Sequence, residues 1–249
     1  MNNLQNELEK AKSLFKFQYL DEKNDLLKLS SKNVVLIEAI ISLDSGYSKA
    51  GRKDAAPFGK YKGSTAYWMV ELCNYLKSDS PDKNRNEFKR LVSEAVAAVD
   101  RENSTHLNVG NGRNEITNRI VQFCKKQLIA TLQSSSLELF DKLAEPITVP
   151  AKKGEYQRRN ISFASKFCHY LCFWLFENKP EADNYSIYDS FVRNKLPDYS
   201  NYYKIDLNGK QLDNYADYRL IIDQILEKSG NKISRNGFDH LLWYYYKGK

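Results

Sequence analysis

A chain of 249 residues can bury a full core without disulfide or metal staples, as one large domain or two packed lobes. Its 42% hydrophobic and 13% aromatic content excludes a disordered chain, and the absence of any apolar run of 18 residues excludes a helical membrane span. Lys and Arg outnumber Asp and Glu by 38 to 31, a net charge of +7 that suits a nucleic acid or another anionic surface without requiring one.

Six prolines and eleven glycines are few for this length, and long stretches free of both favour helix. Leu4, Leu8, Ala11, Leu14 and Phe15 keep a helical period, as do Val34, Val35, Ile37, Ile40 and Ile41. Gly46, Gly51, Pro57, Gly59 and Gly63 break the pattern, and helix resumes from about Ser64 to Leu76. Ser80-Pro81 reads as a cap followed by a first-turn proline, opening a helix that ends near Asp100. A polar loop over 102–113 carries Gly110 and Gly112. Helices are predicted over 115–132 and 137–144, and Pro146 and Pro150 bracket a linker. The basic run Lys152, Lys153, Arg158 and Arg159 leads into a helix over 161–176. Asp189 is placed to cap a short helix ending near Lys195. Asn208-Gly209 is a β-hairpin signal within 205–212 that also fits a plain loop. Helices over 215–229 and 235–246 close an all-α pattern.

The four cysteines, Cys73, Cys124, Cys168 and Cys172, fall in apolar helical patterns, where a thiol acts as a small hydrophobe. With no disulfide framework and no signal-peptide pattern, the expectation is a cytoplasmic, reduced protein. Cys168, His169 and Cys172 lie close in sequence, but on a helix His169 points away from the face the cysteines share. Zinc needs three or four converging ligands, so no metal or other cofactor is expected.

The most informative residue is Lys166. It lies in Ile161-Ser-Phe-Ala-Ser-Lys-Phe-Cys-His-Tyr-Leu, early in a helix that is apolar nearly all round and therefore central to the fold. Helical spacing sets it beside Ser162, Phe163, His169 and Tyr170, on the least apolar face. An amine held among apolar groups loses its proton more readily, a neutral amine is a nucleophile, and a carboxylate can manage its proton. Asp189 follows 23 residues later, at a helix start. The bland alternative is a lysine whose stem packs on the core while its amine reaches solvent, or a structural Lys166–Asp189 ion pair.

A basic turn, a helix with an early lysine, and a hydrophobic-x-Asp helix start resemble the helix-hairpin-helix DNA glycosylases, the superfamily of endonuclease III and the 8-oxoguanine DNA glycosylases. The residues carrying the resemblance are Lys166 in Ser-Phe-Ala-Ser-Lys-Phe-Cys-His and Asp189 in Ser-Ile-Tyr-Asp-Ser-Phe-Val, about 40 residues in all. It implies that Lys166 attacks the sugar C1′ of a flipped nucleotide and that Asp189 assists, excising a damaged or modified base with or without strand cleavage. It implies double-stranded DNA as partner and no membrane. The iron–sulfur cluster of some members needs four closely spaced cysteines, which are absent, so no cluster is expected. The fold expected is one all-α domain with a cleft between two lobes, 1–30 plus 200–249 and 31–199, and at most a small hairpin near 205–212.

DNA contacts are expected from Lys152, Lys153, Arg158 and Arg159, from Ser162 and His169 beside the lysine, and from Arg52, Lys53 and Lys60. The last three lie in a loop where basic residues alternate with Phe58 and Tyr61. Two other readings remain open: a non-catalytic helical module that binds nucleic acid, and a bacterial defence-associated interaction protein.

Overall fold

The computed structural model describes residues 16–46, 63–78, 85–103, 105–152 and 154–246. The helix expected at 4–15, the basic loop with Arg52, Lys53 and Lys60, the Ser80-Pro81 start signal and Lys153 lie outside them. In chain order the elements are β1 (Tyr19–Asp21), β2 (Leu26–Leu27), α1 (Ser31–Gly46), α2 (Thr65–Lys77), α3 (Arg85–Asn103), α4 (Gly112–Ile120), α5 (Lys125–Gln133), α6 (Glu138–Ala144), β3 (Ile147–Ala151), β4 (Gly154–Arg158), α7 (Ile161–Leu175), a 3-10 turn (Pro180–Asp183), α8 (Ser190–Tyr203), α9 (Tyr215–Lys228) and α10 (Arg235–Tyr246). The all-α class holds, with two small antiparallel ribbons, β1–β2 and β3–β4.

The chain divides into two compact units, Met1–Pro57 with Tyr188–Lys249, and Phe58–Ile187. The boundaries expected from sequence were near residues 30 and 200. Residues 31–46 join the first unit because α1 packs on α10, where a Cβ on Gly237 would sit 3.5 Å from Val34 Cγ2. Residues from Tyr188 join it because α8 packs on α9 and α10.

In the first unit, tyrosines tie the β1–β2 ribbon to the helices. Tyr199 donates to the Leu27 carbonyl at 3.0 Å, and Tyr246 accepts the Leu27 N–H at 3.1 Å and donates to the Asp25 carbonyl. Burial holds the Tyr246 phenol up at about 12, so it stays a neutral donor. Helix α8 runs well past residue 195, through Pro197, to a left-handed cap at Lys204. Buried Val192, Leu196 and Tyr199 keep one face of it in the core, which outweighs the hydrogen bond proline cannot make. Residues 205–212 form turns instead of the hairpin. Asn208 N–H donates to Asp206 Oδ1 at 2.8 Å and Lys210 N–H to the Leu207 carbonyl, which captures the Asn-Gly signal locally.

In the second unit α7 is the central helix. Phe163, Ala164, Phe167, Cys168, Leu171, Cys172 and Leu175 are all buried. It packs on α2, α3, α5 and α6. Where one helix over 115–132 was expected there are two. The break is set by Cys124, whose Sγ accepts the Gln127 N–H while Gln127 Oε1 accepts the Cys124 N–H. That is a capping box with a thiol in the serine role. Cys124 is accordingly exposed, unlike the other three cysteines, and none of the four forms a disulfide.

The expected linker at 146–150 and the basic run after it pair into the β3–β4 ribbon, with Val149 opposite Tyr156 and Ile147 opposite Arg158. Ile147 and Val149 turn inward, and Pro150 near the turn costs no core hydrogen bond. The ribbon rests on the 105–111 loop and the start of α4. A Cβ on Gly112 would meet Ile147 Cδ1 at 2.7 Å and the Leu107 carbonyl at 2.8 Å. Gly112→Ala is therefore expected to lower stability by about 2 kcal/mol, read by urea denaturation; an unchanged midpoint would show that this packing yields easily.

Candidate functional site

Helix α7 exposes one stripe. Ser162, Lys166, Tyr170 and Phe173 are half-buried along it, while the residues between them are mostly buried. Their spacing of four, four and three follows the helical repeat, so the least apolar face is where the sequence set it. Lys166 Nζ donates to Ser162 Oγ, one turn back, at 3.0 Å. Tyr170, one turn on, donates to Asn103 Oδ1 at 2.9 Å. The lysine stem thus lies along a core helix, with its amine held by a hydroxyl rather than lost to bulk solvent.

His169 is 2% exposed, and its Nδ1 donates to the Tyr185 carbonyl at 2.8 Å. It fastens α7 to the strand of chain that follows it and lies inside the fold. Cys73 lies against α7, with Sγ donating to the Leu171 carbonyl, and burial pushes its thiol up to about 12, so it is a neutral hydrophobe. Among the described residues no group of three or more His, Cys, Asp and Glu side chains converges to hold a metal. No described helix is long and apolar enough to cross a membrane.

The basic run preceding α7 is the second strand of a ribbon and its flanks. Lys152 is exposed at the turn, and Arg159 is exposed beyond β4. Arg158 donates to the Thr105 and His106 carbonyls, at 3.4 and 2.9 Å, and so joins the ribbon to the 105–111 loop. Asp141, on α6, lies near Arg159; burial raises its carboxyl and the guanidinium partly offsets that.

The loop itself is organised by a residue the sequence did not single out. Buried Asp100 accepts from the Thr105 hydroxyl at 2.8 Å and the Leu107 N–H at 2.7 Å with Oδ1, and from Arg113 Nε at 2.8 Å with Oδ2. Burial pushes this carboxyl up, but the three donors together outweigh it and leave it below the ordinary carboxylate value. Gly110, at φ +70°, completes the turn into α4. The pair Gly110 and Gly112 was the available signal for a shaped loop.

Lys166 belongs to one unit and Asp189 to the other. Asp189 is the N-cap of α8, as expected: its Oδ1 accepts the Phe191 N–H at 2.8 Å. Beside it, Tyr188 donates to Asp213, and Arg193 bridges the two. The cap orients the Asp189 carboxylate, and its structural role can be separated from any chemical one. Asp189→Ala is expected to cost about 1 kcal/mol in unfolding experiments, and Asp189→Asn only a few tenths, since asparagine caps as well. A rate lost equally in both, with stability lost in the first alone, assigns the charge to chemistry. No family model matches this chain, and no curated protein and no solved structure matches it.

Proposed function

We propose that this chain is a DNA glycosylase, with or without lyase activity, that excises a damaged or modified base through an imine formed on Lys166. The observation that carries the reading is the placement of Lys166: the cation of an otherwise apolar core helix, half-buried, with its amine held by Ser162. The basic ribbon just before that helix and the net charge of +7 support a polyanionic partner. The resemblance of the sequence around Lys166 and Asp189 supplies the chemistry.

In this reaction the target nucleotide leaves the stack, at a cost of a few kcal/mol that phosphate contacts offset. The neutral Nζ lone pair forms a bond to C1′ as the bond from C1′ to the base breaks. The bonding electrons leave with the base, which takes up a proton. The proton on Nζ passes to a carboxylate, for which the resemblance names Asp189. Opening of the sugar ring leaves an imine between Nζ and C1′. Water then hydrolyses it and frees the amine, or loss of a C2′ proton expels the 3′ phosphate and nicks the strand.

The experiment is a base-release assay on duplexes carrying a panel of oxidised, alkylated and deaminated bases, read by chromatography of the freed base. Release of one class supports the reading and names the substrate. Tight binding with no release from any duplex would instead support a non-catalytic nucleic-acid-binding module.

A further inference from the structure

Among the described residues of the Phe58–Ile187 unit, the large hydrophobic side chains that stand exposed are Val109, at 37%, and Tyr156, at 49%. Both stand on segments that meet at the β3–β4 ribbon. Gly110, next to Val109, lies so close to β3 that a Cβ there would meet Pro150 Cδ at 3.0 Å. Tyr156 stands on β4 opposite Val149, on the same ribbon face as Arg158, which ties ribbon to loop. The described residues of 152–159 include three cations, Lys152, Arg158 and Arg159, against the single acid Glu155. Asp100 holds the Leu107 N–H of the loop beneath, and Arg158, two residues from Tyr156, ties the ribbon to that loop.

An exposed aromatic ring flanked by cations on a paired, tethered ribbon fits single-stranded or unstacked nucleic acid. The cations follow the phosphates, and the ring face stacks on a base whatever its identity. Stacking needs a base face that is open to solvent; in an intact duplex both faces are covered by neighbours. We propose that the β3–β4 ribbon is the DNA-gripping element of this protein and that Tyr156 stacks on a base exposed at an unpaired or interrupted position. The inference deepens the reading of the chain as a protein that acts on DNA, and rests on it.

The test is fluorescence anisotropy of the full chain with three labelled probes: an intact duplex, the same duplex with one abasic-site analogue, and the single strand. Tyr156→Ala is expected to weaken binding to the last two by roughly 5- to 100-fold and to leave the intact duplex unchanged, with Tyr156→Phe restoring the wild-type values. The double variant Lys152→Gln, Arg159→Gln is expected to weaken all three and to lower the slope of log affinity against log salt by roughly 1 to 2. Wild-type affinity of Tyr156→Ala for the interrupted duplex, with an unchanged circular dichroism spectrum, overturns the proposal. So does binding to phosphatidylserine vesicles in preference to every DNA probe. The readout does not depend on Lys166. Tyr156-dependent binding without base release keeps the ribbon and removes the glycosylase reading; base release without Tyr156 dependence does the reverse.

Discussion

Under the proposed chemistry, Lys166→Ala is expected to abolish base release, lowering the single-turnover rate by roughly 10³-fold or more, with DNA binding and fold retained. The rate would fall because the proposed reaction draws the nitrogen that bonds to C1′ from this side chain. The fold is expected to persist because Lys166 is only half-buried, and a hydrogen bond such as the one it gives Ser162 is worth about 0.5–1.5 kcal/mol. Alanine is also the best helix former, so α7 does not lose propensity. Lys166→Arg sharpens the result. It keeps the positive charge but its guanidinium stays protonated, so it is expected to bind DNA as the native chain does and to release no base. A purely electrostatic lysine would be replaced by arginine with most of the activity retained, which is the outcome that removes the nucleophile.

The second large effect is on stability. Asp100→Ala is expected to cost about 3 kcal/mol, because it strands the Leu107 N–H, the Thr105 hydroxyl and the Arg113 guanidinium, which now share one buried carboxylate. The contribution has a pH signature. The folded-state pKa lies below the ordinary value of 3.8, so the stabilisation is fully present above that value and fades as pH falls through the lower folded-state pKa. Urea titrations of wild type and Asp100→Asn are therefore expected to differ by a constant amount near neutrality and to converge below about pH 4. A gap that stays constant to lower pH would mean the carboxylate is not what holds the loop. Because that loop underlies the ribbon proposed to grip DNA, Asp100→Ala is also expected to weaken DNA binding.

Most of the described helices were legible because burial enforces the 3.6-residue repeat: α2, α3, α7, α9 and α10 lie where helix was expected, and each buries apolar residues three or four apart. The cap Asp189 was equally legible, since its short side chain suits that backbone bond; the Ser64 cap of α2 was not singled out. What escaped notice depended on contacts distant in sequence or on unusual chemistry. The β3–β4 ribbon hid behind two prolines and four cations, and its period-two signal is only Ile147 and Val149. The break at Cys124 uses a sulfur where serine or threonine is the usual marker. Continuation of α8 through Pro197 is decided by the packing of Leu196 and Tyr199, which outranks the local propensity of proline. Of the candidate site, the stripe bearing Lys166 was readable from periodicity alone. The hold of Ser162 on its amine followed from i, i+4 spacing. The inward turn of His169 and the role of Asp100 were not readable, because both are fixed by backbone groups supplied from other segments.

The proposed reaction requires Lys166 to bond covalently to DNA. Borohydride reduction of the native chain on a duplex carrying an abasic site, followed by proteolysis and mass spectrometry, tests it most directly. A stable protein–DNA adduct is expected, its cross-linked peptide modified on Lys166, and none with Lys166→Ala. An adduct mapped to another lysine or to the N-terminal amine, or one that survives Lys166→Ala unchanged, would contradict it.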